Sequence, residues 1–263
     1  MYVFKIIIKF MLKKFKKDGF VKLNPFTKNQ IDQLNKALFF NLIKISGERK
    51  KLKFTYSNLQ KLIAKTYKNK KIFKNFYEFS QNQVQLYLLS SNKKLLTYLS
   101  KILNVREDSF ILGDMTLRID NPGVSNAALD MHQESTYYPE IKNYDKTLLV
   151  WFPLHDINKG GGGLGVCTKK FNKKINSSWN GREYSLKKSF KPTVDYTFTG
   201  KKGEALICNF NLFHCTTLNS TNNFRLSCAF RYHSSFTKNF KPFRKWRVNK
   251  IFFQKLKENQ IKF

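Results

Sequence analysis

The hydrophobic period changes once along this chain, near Phe110, and that change constrains the fold more than any other feature. Before it, apolar residues recur at helical spacing. Thr27 can cap a helix and Gln30 can reach back to it, and Ile31, Leu34, Ala37, Leu38 and Leu42 then define one buried face. Ser57 to Gln60 repeat the capping signature before Leu62, Ile63 and Tyr67, and further helices are expected over 72–79 and 91–103. A short entry strand is expected over 16–23, turned at Gly19. After Phe110, segments 113–119, 147–154, 164–168, 204–209 and 226–232 are short and rich in branched and aromatic residues. Asn121-Pro122-Gly123, the Gly160 to Gly163 run and the Gly200 to Gly203 segment bound them as turns. Helices first and short strands afterwards imply an α+β chain with a mainly β core. The expected architecture is a double-stranded β-helix, the cupin-like jelly roll, with an N-terminal helical layer packed on one side.

The division expected from this pattern is an extension over 1–12, one domain over 13–237 and a basic tail or helix over 238–263. Within the domain, 13–108 is the helical part and 109–237 the jelly-roll core. The apolar run near the N-terminus is too short to span a bilayer and lysines interrupt it. It has no small-residue cleavage site, so no signal peptide is expected, and Met11 is an alternative start. A membrane-surface helix remains open for it, as does a second amphipathic helix over 251–261 that packs back on the domain or meets nucleic acid or membrane. The polar stretch 172–199 has the length of a lid or binding loop, or else of a disordered segment.

Lys and Arg number 49 against 17 Asp and Glu, a formal charge of +32. This charge suits a polyanionic partner. It also accompanies an enrichment in Asn, Phe and Ile, residues that share A/T-rich codons with Lys, and the scatter of the lysines favours that compositional reading. Cys167, Cys208, Cys215 and Cys228 lack any CxxC spacing, so free thiols in a reducing cytoplasm are expected.

The chemistry centres on His132-Gln133-Glu134 and on His214. On an extended strand His132 and Glu134 point to the same side, and two histidines with one carboxylate form the facial triad of non-haem Fe(II) oxygenases. Arg225, just ahead of Ser227, offers a guanidinium beside a hydroxyl, a pair suited to a carboxylate. His155 and His233 lack matching partners and are read as structural. The glycine run has no Gly-Lys-Ser/Thr ending and is read as a turn, not a phosphate loop.

These residues resemble the phytanoyl-CoA dioxygenase family of Fe(II)/2-oxoglutarate oxygenases, over most of the chain. Phe15 to Val21 resemble the family's opening strand. His132-Gln133-Glu134 followed by Tyr137-Tyr138-Pro139 resembles its His-Gln-Asp segment, Leu149 to Leu154 its next core strand, and Gly163-Leu164 its Gly-x-Leu. The resemblance implies that His132, Glu134 and His214 hold Fe(II), and that Arg225 with Ser227 holds the distal carboxylate of 2-oxoglutarate. It also implies that Gln133 and Trp151 line the co-substrate pocket, with Met115 and Arg118 on the same wall. Dioxygen would be the oxidant, a small metabolite the substrate, with the basic charge leaning toward an anionic one, and hydroxylation of an unactivated C–H bond the reaction. A carboxylate ligand is what halogenating relatives lack. Two departures stand out: Glu134 replaces the usual Asp, and Cys167-Thr168-Lys169-Lys170 replaces the usual Pro-Gly-Ser-His, which bears on the substrate loop.

Two rivals follow from the same residues. Arg225 and Arg231 form an Arg-x5-Arg spacing used by oxygenases of alkylated nucleic acid, and the charge suits such a ligand. Against it stand the Asp18-Gly19-Phe20 opening and the His132–His214 interval. The other rival is a basic binding protein with a disused metal pocket, against which the intact triad argues.

Overall fold

A computed structural model describes residues 2–48, 52–123, 129–138, 141, 144–168, 174–179, 184–186, 190, 192–238 and 240. Six helices lead: α1 (Tyr2–Asp18), α2 (Lys28–Ser46), α3 (Tyr56–Tyr67), α4 (Lys70–Ser80), α5 (Val84–Ser90) and α6 (Lys93–Leu103), with the strand β1 (Phe20–Leu23) between the first two. Eight further named strands make up the rest of the two main sheets: β2 (Phe110–Asp120), β3 (His132–Gln133), β4 (Thr147–Pro153), β5 (Leu164–Val166), β8 (Tyr196–Phe198), β9 (Ala205–Asn209), β10 (Phe213–Thr216) and β11 (Arg225–Ser234). The remaining pair, β6 (Ser177–Trp179) and β7 (Tyr184–Leu186), forms a hairpin of its own. One antiparallel sheet runs β1-β9-β4-β11-β2 and the other β3-β10-β5-β8.

Local chemistry sets these bounds. Thr27 and Gln30 form the expected capping box at the start of α2, and Gly47 ends the helix in the left-handed region at φ 67°. The start of α3 is capped by Thr55, whose hydroxyl accepts from the Asn58 N–H. The Ser57 to Gln60 signature therefore lies inside the helix, two residues past the true cap. Residues 16–18 extend α1 instead of opening the strand, because no helix breaker stands before Gly19. Met11 is buried, with Ile8, Leu12 and Phe15 packed around the same core, so these side chains of α1 are covered by the chain itself. No helix among the described residues is long and apolar enough to cross a membrane. The expected helix over 251–261 lies outside the described residues, as does much of the 172–199 stretch. What is described of that stretch includes β6, β7 and β8, strands too short for a periodic signal.

The larger sheet is two-sided, and its alternation organises the molecule. Leu117, Ile119, Leu148, Val150, Phe152, Ile207, Leu226, Cys228, Phe230 and Tyr232 face the helices and join Ile31, Leu34, Leu38 and Leu42 in the main core. Full burial of each such Leu, Ile or Phe stabilises the fold by roughly 1.5–3 kcal/mol. The intervening residues Phe20, Leu149, Trp151, Leu206, Cys208 and Ala229 face the other way and pack with Leu164, Val166 and Phe198 of the second sheet. Two buried glutamines join the helices to the sheet. Gln81 donates to the Leu117 carbonyl (2.9 Å) and accepts from its N–H (3.0 Å), covering the free edge of β2. Gln60 does the same for Phe224 (2.9 and 2.8 Å), immediately before β11.

Candidate metal centre

The centre begins with strand register. β10 pairs antiparallel with β3, and His214 stands directly opposite His132. Directly opposed residues share a face, so both imidazoles project to the same side, with ring centroids 4.3 Å apart. Glu134 follows at the start of a 3-10 turn (Glu134–Tyr137), which lifts its carboxylate between the two rings. Its Oε2 lies 3.8 Å from His132 Nε2 and 3.5 Å from His214 Nε2. The three ligand atoms all lie within 4.8 Å of one another, and all three residues are buried.

Each histidine is fixed in the same manner. His132 Nδ1 lies 2.6 Å from the Asp130 carbonyl oxygen and His214 Nδ1 lies 2.9 Å from that of Leu212. A carbonyl only accepts, so each Nδ1 carries the hydrogen and each Nε2 is the ring nitrogen turned toward Glu134. Burial, then the neighbouring His214, pulls His132 down to about 3, so its ring is neutral near pH 7. Burial alone would push the Glu134 carboxyl up. The Arg231 charge beside it outweighs burial and holds the carboxyl below its ordinary range. Neutral imidazoles and an ionised carboxylate are the protonation states that bind a divalent ion.

A cavity beside His214 is lined by Arg118, Trp151, Thr216, Arg225 and Arg231, among others. Arg225 is held by Asp120 Oδ2, which accepts from Nε (3.2 Å) and Nη2 (2.7 Å). Its Nη1 donates to the Gly163 and Thr217 carbonyls at 3.1 and 3.4 Å. The glycine run is thus a turn, as expected, and one that presents a carbonyl to Arg225. Of the five guanidinium donors, one on Nη2 has no such partner among the described residues. Ser227 lies on the same face of β11, and its buried Oγ has no hydrogen-bond partner among the described residues.

Trp151 and Arg118 join this cavity, Trp151 edge-on to Phe198 at 5.7 Å. Gln133 and Met115 do not. Gln133 projects from the side of β3 opposite His132 and donates to the Asn211 carbonyl (2.8 Å) while accepting from the Ile175 N–H (2.7 Å). Met115 pairs with Phe230 and faces the helices. Strand parity, the same rule that unites His132 and Glu134, excludes both. His155 is structural: its Nε2 accepts from the Leu226 N–H and its ring stacks on Tyr56 at 5.0 Å. The four cysteines are unpaired thiols.

Sequence reasoning missed two contributors. Asp120, which bridges Arg118 and Arg225, carried no motif. Arg231 was noticed only as the second arginine of a spacing, yet its Nε donates to Glu134 Oε1. The usable signal was parity, since residues 225, 227, 229 and 231 share one face of β11.

Among solved structures, the chain is similar to the non-heme monooxygenase ThoJ in its apo form (TM-score 0.63, 15% identity, 95% of this chain and 96% of that one). It is also similar to the epimerase SnoN in complex with Fe3+, alpha ketoglutarate and nogalamycin RO (TM-score 0.59, 10% identity, 92% and 94%). A third is EvdO2 from Micromonospora carbonacea var. aurantiaca (TM-score 0.59, 13% identity, 88% and 93%). At these identities the likeness concerns the fold. No curated protein sequence matches. Residues 15–227 match the family model described as phytanoyl-CoA dioxygenase (PhyH), and the chain therefore belongs to the phytanoyl-CoA dioxygenase family of 2-oxoglutarate-dependent oxygenases.

Proposed function

We propose that the protein hydroxylates an unactivated C–H bond of a small molecule, using Fe(II) held by His132, Glu134 and His214. The observation that carries this reading is the buried cluster of three ligand atoms opening onto a cavity with Arg225 on its wall. Its donor set of two imidazoles and one ionised carboxylate fits a facial triad for Fe(II). Arg225 and Ser227 would seat the distal carboxylate of 2-oxoglutarate. The spare Nη2 hydrogen and the unpartnered Ser227 hydroxyl support that role.

When bound, iron, 2-oxoglutarate and dioxygen supply an oxidant strong enough for a C–H bond, with succinate and carbon dioxide as co-products. The chain's own work is positional. The Asp130 and Leu212 carbonyls orient the imidazoles. Asp120 fixes the guanidinium of Arg225, and Trp151 gives the cavity an apolar wall that keeps water out. Glu134 fills the position that a halide would otherwise take, which favours hydroxylation over halogenation.

We also read the two sheets as a double-stranded β-helix. Support comes from the strand order, in which β2, β3, β4 and β5, and later β8, β9, β10 and β11, alternate between the sheets. The domain would run over 13–237. A small-molecule substrate is supported by the nogalamycin compound bound to SnoN. The nucleic-acid reading has less support, because Arg225 is bound to Asp120 and Arg231 to Glu134, both guanidinium groups being already paired with a buried carboxylate.

The test is an anaerobic titration of Fe(II) and then 2-oxoglutarate, following the visible charge-transfer absorption of the chelate. A band in the parent that His214→Ala loses is the expected result. A folded parent without the band overturns the reading, and the binding-protein alternative then takes its place. Substrates that shift the band are next assayed for a product heavier by one oxygen atom.

A further inference from the structure

We infer that Arg231 holds Glu134 to a single ligating oxygen and so keeps the coordination positions of the metal open for co-substrate and dioxygen. The inference rests on the metal site proposed above and concerns a residue outside its ligand set.

The two oxygens of Glu134 face different partners. Oε2 looks toward the two Nε2 atoms, at 3.5 and 3.8 Å. Oε1 accepts from Arg231 Nε. The guanidinium is itself anchored: Nη1 donates to Thr116 Oγ1 at 3.1 Å and lies 3.8 Å from Asp114 Oδ2. Glu134 is buried and Arg231 largely so, which leaves little water to compete for Oε1. The pair also crosses the molecule. Arg231 belongs to β11 of the larger sheet, whereas Glu134 follows β3 of the smaller one.

A carboxylate binds a cation through one oxygen or through both, and a glutamate has one more rotatable bond than an aspartate with which to swing. Through both oxygens, Glu134 and the two histidines would take four of six octahedral positions. A co-substrate that chelates through two atoms would fill the remainder, with no place for dioxygen. With Oε1 committed to a fixed guanidinium, one oxygen alone is left for the ion. Arg231 is a positioning residue on this account, acting on the metal through Glu134.

The test uses Co(II), whose visible absorption reports coordination number and needs no turnover. Full-length parent, Arg231→Met, Arg231→Lys and Thr116→Val are titrated with Co(II) and then 2-oxoglutarate, with metal-free thermal melts as the control for folding. Expected for Arg231→Met is Co(II) affinity weaker by about 10–100-fold, the usual effect of losing a group that orients a ligand. A Co(II) spectrum of changed intensity and a diminished response to 2-oxoglutarate should accompany it. Arg231→Lys, which restores one donor, should recover part of both. Should Arg231→Met fail to fold, Thr116→Val and Arg231→Lys carry the test, with smaller changes in the same direction. A folded Arg231→Met with the parent's affinity and spectrum overturns the inference, as do unchanged spectra in both substitutes. A folded parent that binds no Co(II) removes the metal site itself, a failure visible before any variant is compared.

Discussion

Asp120 grips Arg225 through one oxygen and Arg118 through the other: Oδ2 accepts from Arg225 Nη2 at 2.7 Å and Oδ1 from Arg118 Nη2 at 2.9 Å. Asp120 is 1% exposed. Burial opposes its ionisation, but the Arg118 and Arg225 charges prevail and lower its carboxyl. Breaking such a buried network by removing one partner costs roughly 3–5 kcal/mol. Asp120→Ala should lose about that much in a urea melt. Asp120→Asn should fold more nearly normally yet bind 2-oxoglutarate at least about tenfold more weakly, equivalent to about 1.4 kcal/mol, measured by calorimetry on the metal-loaded protein.

Metal should stabilise the fold measurably, because its ligands come from segments far apart in sequence. At about 100 times its dissociation constant, a bound ion adds roughly 2.7 kcal/mol. Thermal melts with and without chelator should differ accordingly for the parent, and the difference should vanish in His132→Ala and His214→Ala. Equal melts for the parent in both conditions would count against the site.

Acid should weaken the fold through His155. Burial lowers this imidazole from 6.5 to about 4, and its Nε2 must stay unprotonated to accept from the Leu226 N–H. Below pH 6.5 the unfolded chain takes up a proton that the folded chain refuses, so stability falls as pH drops and levels off below about 4. In His155→Gln that component is absent. The stability gap between parent and variant should therefore shrink between pH 7 and pH 4, and a constant gap would refute the assignment.

Gly162 can be probed without touching a ligand. Its φ of 73° is left-handed, and a Cβ there would stand 2.9 Å from Arg225 Nη1 and 2.8 Å from the Thr217 carbonyl oxygen. Gly162→Ala should destabilise the turn and push the guanidinium out of place. Affinity for 2-oxoglutarate should fall while Co(II) affinity stays at the parental value. Loss of both together would mean that the turn supports the whole centre.

Much of this was legible in the sequence because the signals are local. The Thr27–Gln30 box, the core strands and the His132–Glu134 pair each follow from spacing alone. What escaped depends on distant residues or on strand faces. Gln133 neighbours two ligands and is turned away from both, and Met115 shares a strand with Arg118 but faces the helices. Parity counted outward from His132 and from Arg225 would have sorted them. The short β8 and β10 owe their existence to the strands they pair with, since three or four residues carry no period of their own. Asp120 and Arg231 acquire their roles only when β11 is laid beside β2 and opposite Glu134.

The alternation along β11 has a consequence for how such a protein changes over time. Odd-numbered residues from Arg225 to Arg231 face the chemistry, and even-numbered ones from Leu226 to Tyr232 face the helical layer. Scaffold and reactivity are thus written on interleaved letters of one strand. Apolar letters can be exchanged for others of similar volume as the helices diverge, without disturbing a ligand or a guanidinium. A single-residue insertion or deletion inverts both sets at once. Substitutions should therefore accumulate freely in the even positions, whereas changes of length within this strand should be purged.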